Sequence, residues 1–152
     1  MALVSIVIGS KSDTSMVKPA VEMLEQLGID CEVSVISAHR NPEKLRDYAL
    51  QAEKRGIEVI IAAAGYAAHL PGTVASWTTL PVIGIPLPTS DLNGIDALLS
   101  ITQMPAGVPV ACVGIGTSGA KNAALLAAQI LSMKYDAVKE AYHQYKTKLG
   151  EG

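Results

Sequence analysis

Two of the three histidines stand in short polar segments, each of which follows an apolar run. His39 lies in segment 37–40 (SAHR), and His69 lies in segment 66–72 (YAAHLPG). Imidazole gains and loses protons near neutral pH, and with only 17% of the residues charged, few other groups could do so. A single histidine is more often a hydrogen-bonded structural group than a catalytic one. Two at the same edge of a fold, beside an anion site, favour proton-transfer chemistry.

Segment 9–13 (GSKSD) could bind an anion. It supplies hydroxyl groups and backbone N–H groups at a point where a strand turns into a helix. The same residues are also common helix caps, and that alternative stays open. Arg40 favours the anion site, because a guanidinium after the following strand could bind a phosphate through two hydrogen bonds. Otherwise Arg40 is a solvated surface charge.

Other sites are less well supported by the sequence. Segment 114–119 (GIGTSG) matches a dinucleotide-binding pattern, but no strand follows it to supply a ribose-binding acid, and Ala120 replaces the lysine of a phosphate loop. We interpret it as a tight turn that could touch a ligand. The histidines and cysteines lack metal-ligand spacing, and few aromatic residues could stack on a flavin. We expect neither a metal nor a cofactor.

Composition limits the class of protein. We expect one domain over residues 1–152, since 49% of the residues are hydrophobic and the length suits one core. A net charge of −2 without a long basic cluster argues against nucleic-acid binding, and no apolar stretch reaches the roughly 20 residues that span a membrane. Because the first residues are not basic and lead directly into a predicted strand, we expect no signal peptide. Cys31 and Cys112 lie in apolar runs, so we expect two buried, reduced thiols in a cytoplasmic protein, with a catalytic cysteine as the minor alternative.

Strands and helices alternate along the chain, and these elements must position the polar segments. Strands are predicted at residues 3–9, 31–37, 58–63, 82–85 and 108–113. Helices are predicted at residues 15–27, 42–55, 71–78, 95–102, 121–133 and 135–149. Pro19 falls inside the first helix, which must start late or bend. The alternation predicts an α/β fold with five parallel strands and helices on both faces.

The carboxyl ends of such strands form the usual ligand-binding edge, close to the point where the strand order reverses. Both histidine segments and segment 9–13 follow strands and therefore fall on this edge. Helix residues 122–131 (NAALLAAQIL) are apolar on too many faces for an exposed helix. This helix is either buried between the sheet and the last helix or packed against another subunit. We expect a homo-oligomer.

Taken together, several motifs resemble those of the class I 5-(carboxyamino)imidazole ribonucleotide mutases of purine biosynthesis. They are segments 9–13 (GSKSD), 37–40 (SAHR) with Pro42, 67–72 (AAHLPG), 81–86 (PVIGIP), 103–105 (QMP) with 107–109 (GVP), and 122–128 (NAALLAA). The resemblance implies a flavodoxin-like three-layer αβα sandwich, assembled as an octamer. It also implies a metal-free and ATP-free shift of a carboxylate from the exocyclic nitrogen of an aminoimidazole ribonucleotide to a ring carbon.

The resemblance also assigns roles to residues. His39 would be the acid/base, Asp13 would bind the ribose hydroxyls, and the loop 65–70 would bind the base and carboxylate. The residues expected to bind substrate are Ser10, Asp13, Ser37, Arg40, Gly65, Ala67, His69 and Leu70, with Ser10, Ser37 and Arg40 on the phosphate. Alanines at 62, 63, 64, 67 and 68 could wall a small dry pocket that retains CO2. Tyr66 departs from the family, which usually has glycine there, and tyrosine hinders a positive φ.

Two other functions remain open from the sequence. An enzyme of the same fold could carboxylate aminoimidazole ribonucleotide directly with CO2, which separate supply of each substrate would reveal. Alternatively, the chain could be a non-catalytic nucleotide-binding or response-regulator-like domain. That class expects an acidic pair after the first strand and a phosphorylatable aspartate after the third, where this chain has Ala64-Gly65-Tyr66.

Overall fold

One parallel sheet organises the protein, which a computed structural model describes over all 152 residues. The strands lie in the order β2-β1-β3-β4-β5. They are β1 (Val4–Ile8), β2 (Cys31–Val35), β3 (Val59–Ala64), β4 (Val82–Pro86) and β5 (Ala111–Cys112). The helices are α1 (Thr14–Gln26), α2 (Pro42–Ala52), α3 (Leu70–Trp77), α4 (Ile95–Thr102), α5 (Gly116–Leu131) and α6 (Asp136–Glu151). This is the doubly wound flavodoxin-like order, and it confirms the predicted fold class.

Local signals set several of the helix ends. The side chain of Asn41 accepts a hydrogen bond from the N–H of Lys44 at 3.3 Å, and Pro42 occupies the first turn of α2. After α2 a 3-10 turn follows, and Gly56 ends it with φ 87°. The first helix begins at Thr14 and continues through Pro19, which excludes the late start, one of the two predicted alternatives.

Two predicted boundaries near the end of the sheet are wrong. Strand β5 has two residues rather than the six predicted, because Pro109 lacks an N–H for the ladder and β5 pairs only with β4. Helix α5 begins at Gly116, five residues before its predicted start, so most of the glycine-rich segment is helical rather than a tight turn. A Cβ on Gly119 would lie 1.6 Å from the carbonyl oxygen of Gly114. The pattern therefore reflects close packing of α5 on the strand end.

Apolar side chains fill both faces of the sheet. On one face, Ile6, Ile8 and Ile61 pack with α1, α5 and α6. On the other face, Val7 and Ile60 pack with residues of α2, α3 and α4. The central strands are buried on both sides, as expected for a parallel sheet, and this rigid layer carries the loops at its carboxyl edge.

The apolar helix α5 is mostly buried within the chain itself. Its buried residues are Gly116, Gly119, Ala120, Ala123, Ala124, Ala127, Ala128 and Leu131. It contacts α1 extensively and α6 along its other side, which agrees with the first of the two predicted placements. The cysteines are free but only partly buried, because Cys31 and Cys112 lie on the two edge strands, where cover is incomplete. No helix combines the length and apolar character needed to cross a bilayer.

Candidate active site

A cavity of about 500 Å³ lies at the carboxyl edge of the sheet. The segments that follow β1, β2 and β3 bound it, and β1 lies where the strand order reverses. Every residue that the sequence assigned to catalysis or substrate binding lines it: Ser10, Asp13, Ser37, His39, Arg40, Gly65, Ala67, His69 and Leu70. The fold thus brings together residues from three segments that are far apart in the chain.

The hydroxyl-rich turn after β1 forms the first wall. The side-chain oxygen of Ser10 accepts a hydrogen bond from the N–H of Ser12 at 3.3 Å, and the two hydroxyl oxygens lie 2.9 Å apart. In the segment after β2, Ser37 Oγ accepts a hydrogen bond from the N–H of Arg40 at 3.2 Å. No carboxylate of the chain pairs with the guanidinium of Arg40. The segments after β1 and β2 therefore offer hydroxyl groups and one unneutralised positive charge to an anion.

Asp13 supplies a carboxyl group beside the same turn. It precedes α1, but its side chain makes no capping hydrogen bond with that helix. Partial burial raises the pKa of the Asp13 carboxyl above its ordinary value. Because the side chain makes no capping hydrogen bond, its oxygens are available to accept hydrogen bonds from the hydroxyl groups of a ligand.

The two histidines of the opening prediction contact each other directly. His39 Nε2 lies 2.5 Å from His69 Nδ1, and the rings meet edge to face with their planes at 88°. An imidazole N–H donates and an unprotonated ring nitrogen accepts, so one ring donates a hydrogen bond to the other at this contact. The backbone of His69 is fixed in turn, because its carbonyl accepts hydrogen bonds from the N–H and the hydroxyl of Thr73, at 2.9 and 2.8 Å. His69 therefore fixes the orientation of the His39 ring.

The loop between β3 and α3 has a strained backbone. Tyr66 has φ 55° and Ala68 has φ 44°, a left-handed conformation that costs a non-glycine residue about 1–2 kcal/mol. The N–H of Ala68 donates to the carbonyl of Gly65 at 2.9 Å, and Ser100 on α4 donates to the carbonyl of Ala67. These bonds hold the turn closed. Tyr66 thus adopts a positive φ that would favour glycine. The residue is 64% exposed and borders the cavity.

Thr89 completes the cavity from the segment after β4, although no motif marked it as a site residue. A Cβ built on Gly65 would lie 1.8 Å from Thr89 Oγ1 and 3.3 Å from the carbonyl oxygen of Leu87. The absence of a side chain at Gly65 therefore lets the two loops approach each other. Only the spatial neighbourhood of Gly65 identifies Thr89 as part of the site.

The predicted alanine wall is only partly correct. Ala64, Ala67 and Ala68 line the cavity. Ala62 and Ala63 do not, because they lie inside β3 and point into the cores on opposite faces of the sheet. The dry wall is therefore confined to the strand end and the loop that follows it.

A second cavity of about 450 Å³ adjoins the histidine pair on its other side. Ala38, His39, Ala68 and His69 border both cavities. The glycine-rich segment 114–119 borders neither of these two cavities. No group of three or more His, Cys, Asp or Glu side chains is placed to hold a metal ion.

Comparisons with known proteins identify relatives over nearly the whole chain. The model of a family described as AIR carboxylase matches residues 3–151. A protein named N5-carboxyaminoimidazole ribonucleotide mutase in Saccharolobus solfataricus is 59% identical over 95% of this chain and 90% of its own length. Its namesake in Pseudomonas aeruginosa is 57% identical over 95% of this chain and 89% of its own length. A crystal structure of Treponema denticola PurE superposes with a TM-score of 0.87 at 28% identity, covering 99% of this chain and 93% of that chain. The chain belongs to the AIR carboxylase family.

Proposed function

We propose that this protein is an isomerase that converts N5-carboxyaminoimidazole ribonucleotide to 4-carboxy-5-aminoimidazole ribonucleotide in purine biosynthesis. Relatives carrying the mutase name are 50–59% identical over 88–98% of the chain. The observation that carries the proposal is the cavity itself, in which a hydrogen-bonded histidine pair stands beside an unpaired arginine and a hydroxyl-rich turn. A phosphorylated nucleotide that exchanges a proton during reaction needs these groups together.

The polar wall is suited to the ribose phosphate. Ser10, Ser37 and Arg40 bind the phosphate, with the guanidinium supplying the charge and the serines supplying hydroxyl donors. Asp13 accepts hydrogen bonds from the ribose hydroxyls. Because these interactions lie away from the reacting atoms, their role is to hold the imidazole ring in a fixed position next to His39.

The chemistry needs one proton to leave a donor and return to it. His39 gives a proton to the exocyclic nitrogen as its bond to the carboxylate breaks, which releases CO2 and leaves an amine. The ring carbon, made electron-rich by that amine, then forms a bond to the same CO2. Neutral His39 removes the proton from this carbon, so the reaction consumes no net proton. General acid–base catalysis of this kind contributes about 10²- to 10⁴-fold.

His69 and the strained loop support these steps. The hydrogen bond to His69 holds the His39 ring in one orientation, which keeps the transferring nitrogen at one place. Gly65, Ala67 and Leu70 border the base and the carboxylate, and the methyl groups of Ala64, Ala67 and Ala68 leave a site for CO2 that offers it few polar partners. Retention of CO2 between the two steps separates an isomerase from a carboxylase.

We further propose that the protein acts as a homo-octamer in the cytoplasm. Apolar side chains stand exposed on the surface of the single chain, with Leu99 56% and Met133 89% exposed, and burial between copies would cover such groups. The free thiols of Cys31 and Cys112 suit a reducing compartment. Light scattering of the purified protein should give the mass of eight copies, and fractionation of cells should place it in the cytoplasm. A stable monomer, or a secreted protein, would contradict this.

The decisive experiment supplies each substrate separately in buffer with labelled bicarbonate. Product should form from N5-carboxyaminoimidazole ribonucleotide without uptake of the label, and His39→Asn should lower the rate by about 1,000-fold. Turnover of aminoimidazole ribonucleotide only, with uptake of the label, would show a carboxylase instead. Binding of nucleotide without turnover above the uncatalysed rate would show a non-catalytic nucleotide-binding domain.

A further inference from the structure

Tyr66 is the least expected side chain around the cavity. Its backbone has φ 55°, a conformation that is rare for bulky residues and that glycine adopts without strain. Tyr66 is the second residue of a turn that is closed by the hydrogen bond from Ala68 N–H to the Gly65 carbonyl. At this position in a turn, a positive φ favours glycine, so the backbone alone does not explain a tyrosine.

Packing within the chain does not explain it either. The Tyr66 side chain is 64% exposed and belongs to neither hydrophobic core. The hydrogen bonds around the cavity run between other residues, and none uses the Tyr66 hydroxyl. An aromatic ring that is strained at its backbone and unsupported at its side chain is a sign of a functional contact.

The position of the ring identifies the part of a ligand that it would meet. Tyr66 borders the cavity three residues before His69, whereas the phosphate-binding groups Ser10 and Arg40 come from the loops after β1 and β2. The reacting ring of the substrate must lie within reach of His39, which His69 contacts. The planar imidazole ring is therefore the portion of the ligand on the Tyr66 side.

We propose that Tyr66 is a substrate-positioning residue whose aromatic ring packs against the aminoimidazole ring of the bound nucleotide at the mouth of the cavity. The proposal rests on the proposed function, because it takes the ligand to be an aminoimidazole ribonucleotide. Contacts between a base and an aromatic side chain are insensitive to the hydroxyl group, since the π face supplies the interaction. The ring rather than the phenol oxygen is thus the active part.

The experiment compares two ligands, the product 4-carboxy-5-aminoimidazole ribonucleotide and ribose 5-phosphate, which lacks the base. Their dissociation constants are measured by calorimetry for the wild type, Tyr66→Phe and Tyr66→Gly. Tyr66→Gly should weaken nucleotide binding by about 10-fold while leaving ribose 5-phosphate binding within about 2-fold, and Tyr66→Phe should bind both ligands as the wild type does. Glycine also removes the strained φ, so this variant should fold with a raised melting temperature.

Asn93→Gly is the matched control. Asn93 also has a positive φ, of 53°, but it lies outside both cavities, so its replacement tests relief of strain without loss of a ring at the site. Its affinity for both ligands should not change. Isomerase activity of the wild type is measured separately, so failure of the proposed function appears there and not in the binding comparison.

Three results would overturn the proposal. Equal losses of affinity for the nucleotide and for ribose 5-phosphate would show that Tyr66→Gly merely distorts the loop. Unchanged affinity for both ligands would show that the ring does not touch the base. Unchanged affinity together with a smaller assembly in light scattering would assign Tyr66 to a contact between copies of the chain.

Discussion

The contact between Gly65 and Thr89 offers a direct test of how the cavity is built. An added Cβ at position 65 would lie 1.8 Å from Thr89 Oγ1 and 3.2 Å from Thr89 Cβ. The first distance is impossible and the second is merely tight, so Gly65→Ala must displace Thr89 or the loop that holds His69. The clash should be relieved in large part when Thr89→Ala removes the hydroxyl and the methyl group.

The magnitude follows from the cost of overpacking, which is typically 1–3 kcal/mol. We expect Gly65→Ala to lower the free energy of unfolding by about 2 kcal/mol in the wild type, and by about 1 kcal/mol in the Thr89→Ala background. The coupling of about 1 kcal/mol lies within the range for residues in contact. Activity should fall at least 10-fold in the single variant, because displacement by about 1 Å of the loop that carries His69 also displaces the His39 ring.

Chemical denaturation of the four members of the cycle measures the coupling, and steady-state kinetics measures kcat. Gly9→Ala is the control for stability. A Cβ there meets nothing within 4 Å, so the change in the free energy of unfolding should be small. Equal losses from Gly65→Ala in both backgrounds would refute the reasoning, since the clash with Thr89 would then not be the cause. Full activity of Gly65→Ala would refute the link between this contact and the histidine pair.

Four further predictions follow from individual contacts. His69→Phe keeps a ring but removes the hydrogen bond to His39, so it should lower kcat about 100-fold. His69→Gln should recover part of this loss. Unchanged kcat in kinetic assays of His69→Phe would contradict the role. Asp13→Asn should raise the melting temperature at pH 7, because burial raises the pKa of this carboxyl and its charged form therefore destabilises the fold. The same variant should weaken nucleotide binding about 10-fold in calorimetry. A lower melting temperature would contradict the prediction. Burial raises the pKa of Tyr48 to about 12, so the unfolded chain loses this proton first and stability should fall by up to about 3 kcal/mol as the pH rises from roughly 10 to 12. Denaturation of Tyr48→Phe across this range should lack that loss, and a curve parallel to the wild type would disprove the assignment. Gly119→Ala should lower the free energy of unfolding by at least about 3 kcal/mol, since the added Cβ clashes with the backbone carbonyl of Gly114. An unfolding curve like that of the wild type would show that the turn can open.

Local patterns predicted the fold well where one residue decides the outcome. The pair Asn41-Pro42 marked the start of α2, and Gly56 marked the end of the turn after it. The length of strand β5 was overestimated, because an apolar run does not reveal that the strand lies at the edge of the sheet. Pro109 was the available signal for a shorter strand.

The site was predictable as a set of loops but not as a set of contacts. Sequence order placed His39 and His69 on one edge of the sheet, yet only the folded chain brings their ring nitrogens into contact. Thr89 joins the cavity through a neighbour 24 positions away, and no local pattern encodes that distance. The positive φ of Tyr66 runs against its own conformational preference, so tertiary contacts set it.

The packing of α1 on α5 also has a consequence for how the protein is made. All residues that line the 500 Å³ cavity lie within the first 89 positions, whereas α5, which covers the sheet beneath them, begins at Gly116. During synthesis the ligand-binding loops therefore leave the ribosome while Ile6, Ile8 and Ile61 still face water. Contacts of such long sequence separation form late and slow folding. A nascent chain arrested before α5 should be bound by chaperones or aggregate, although it already contains every residue of the site.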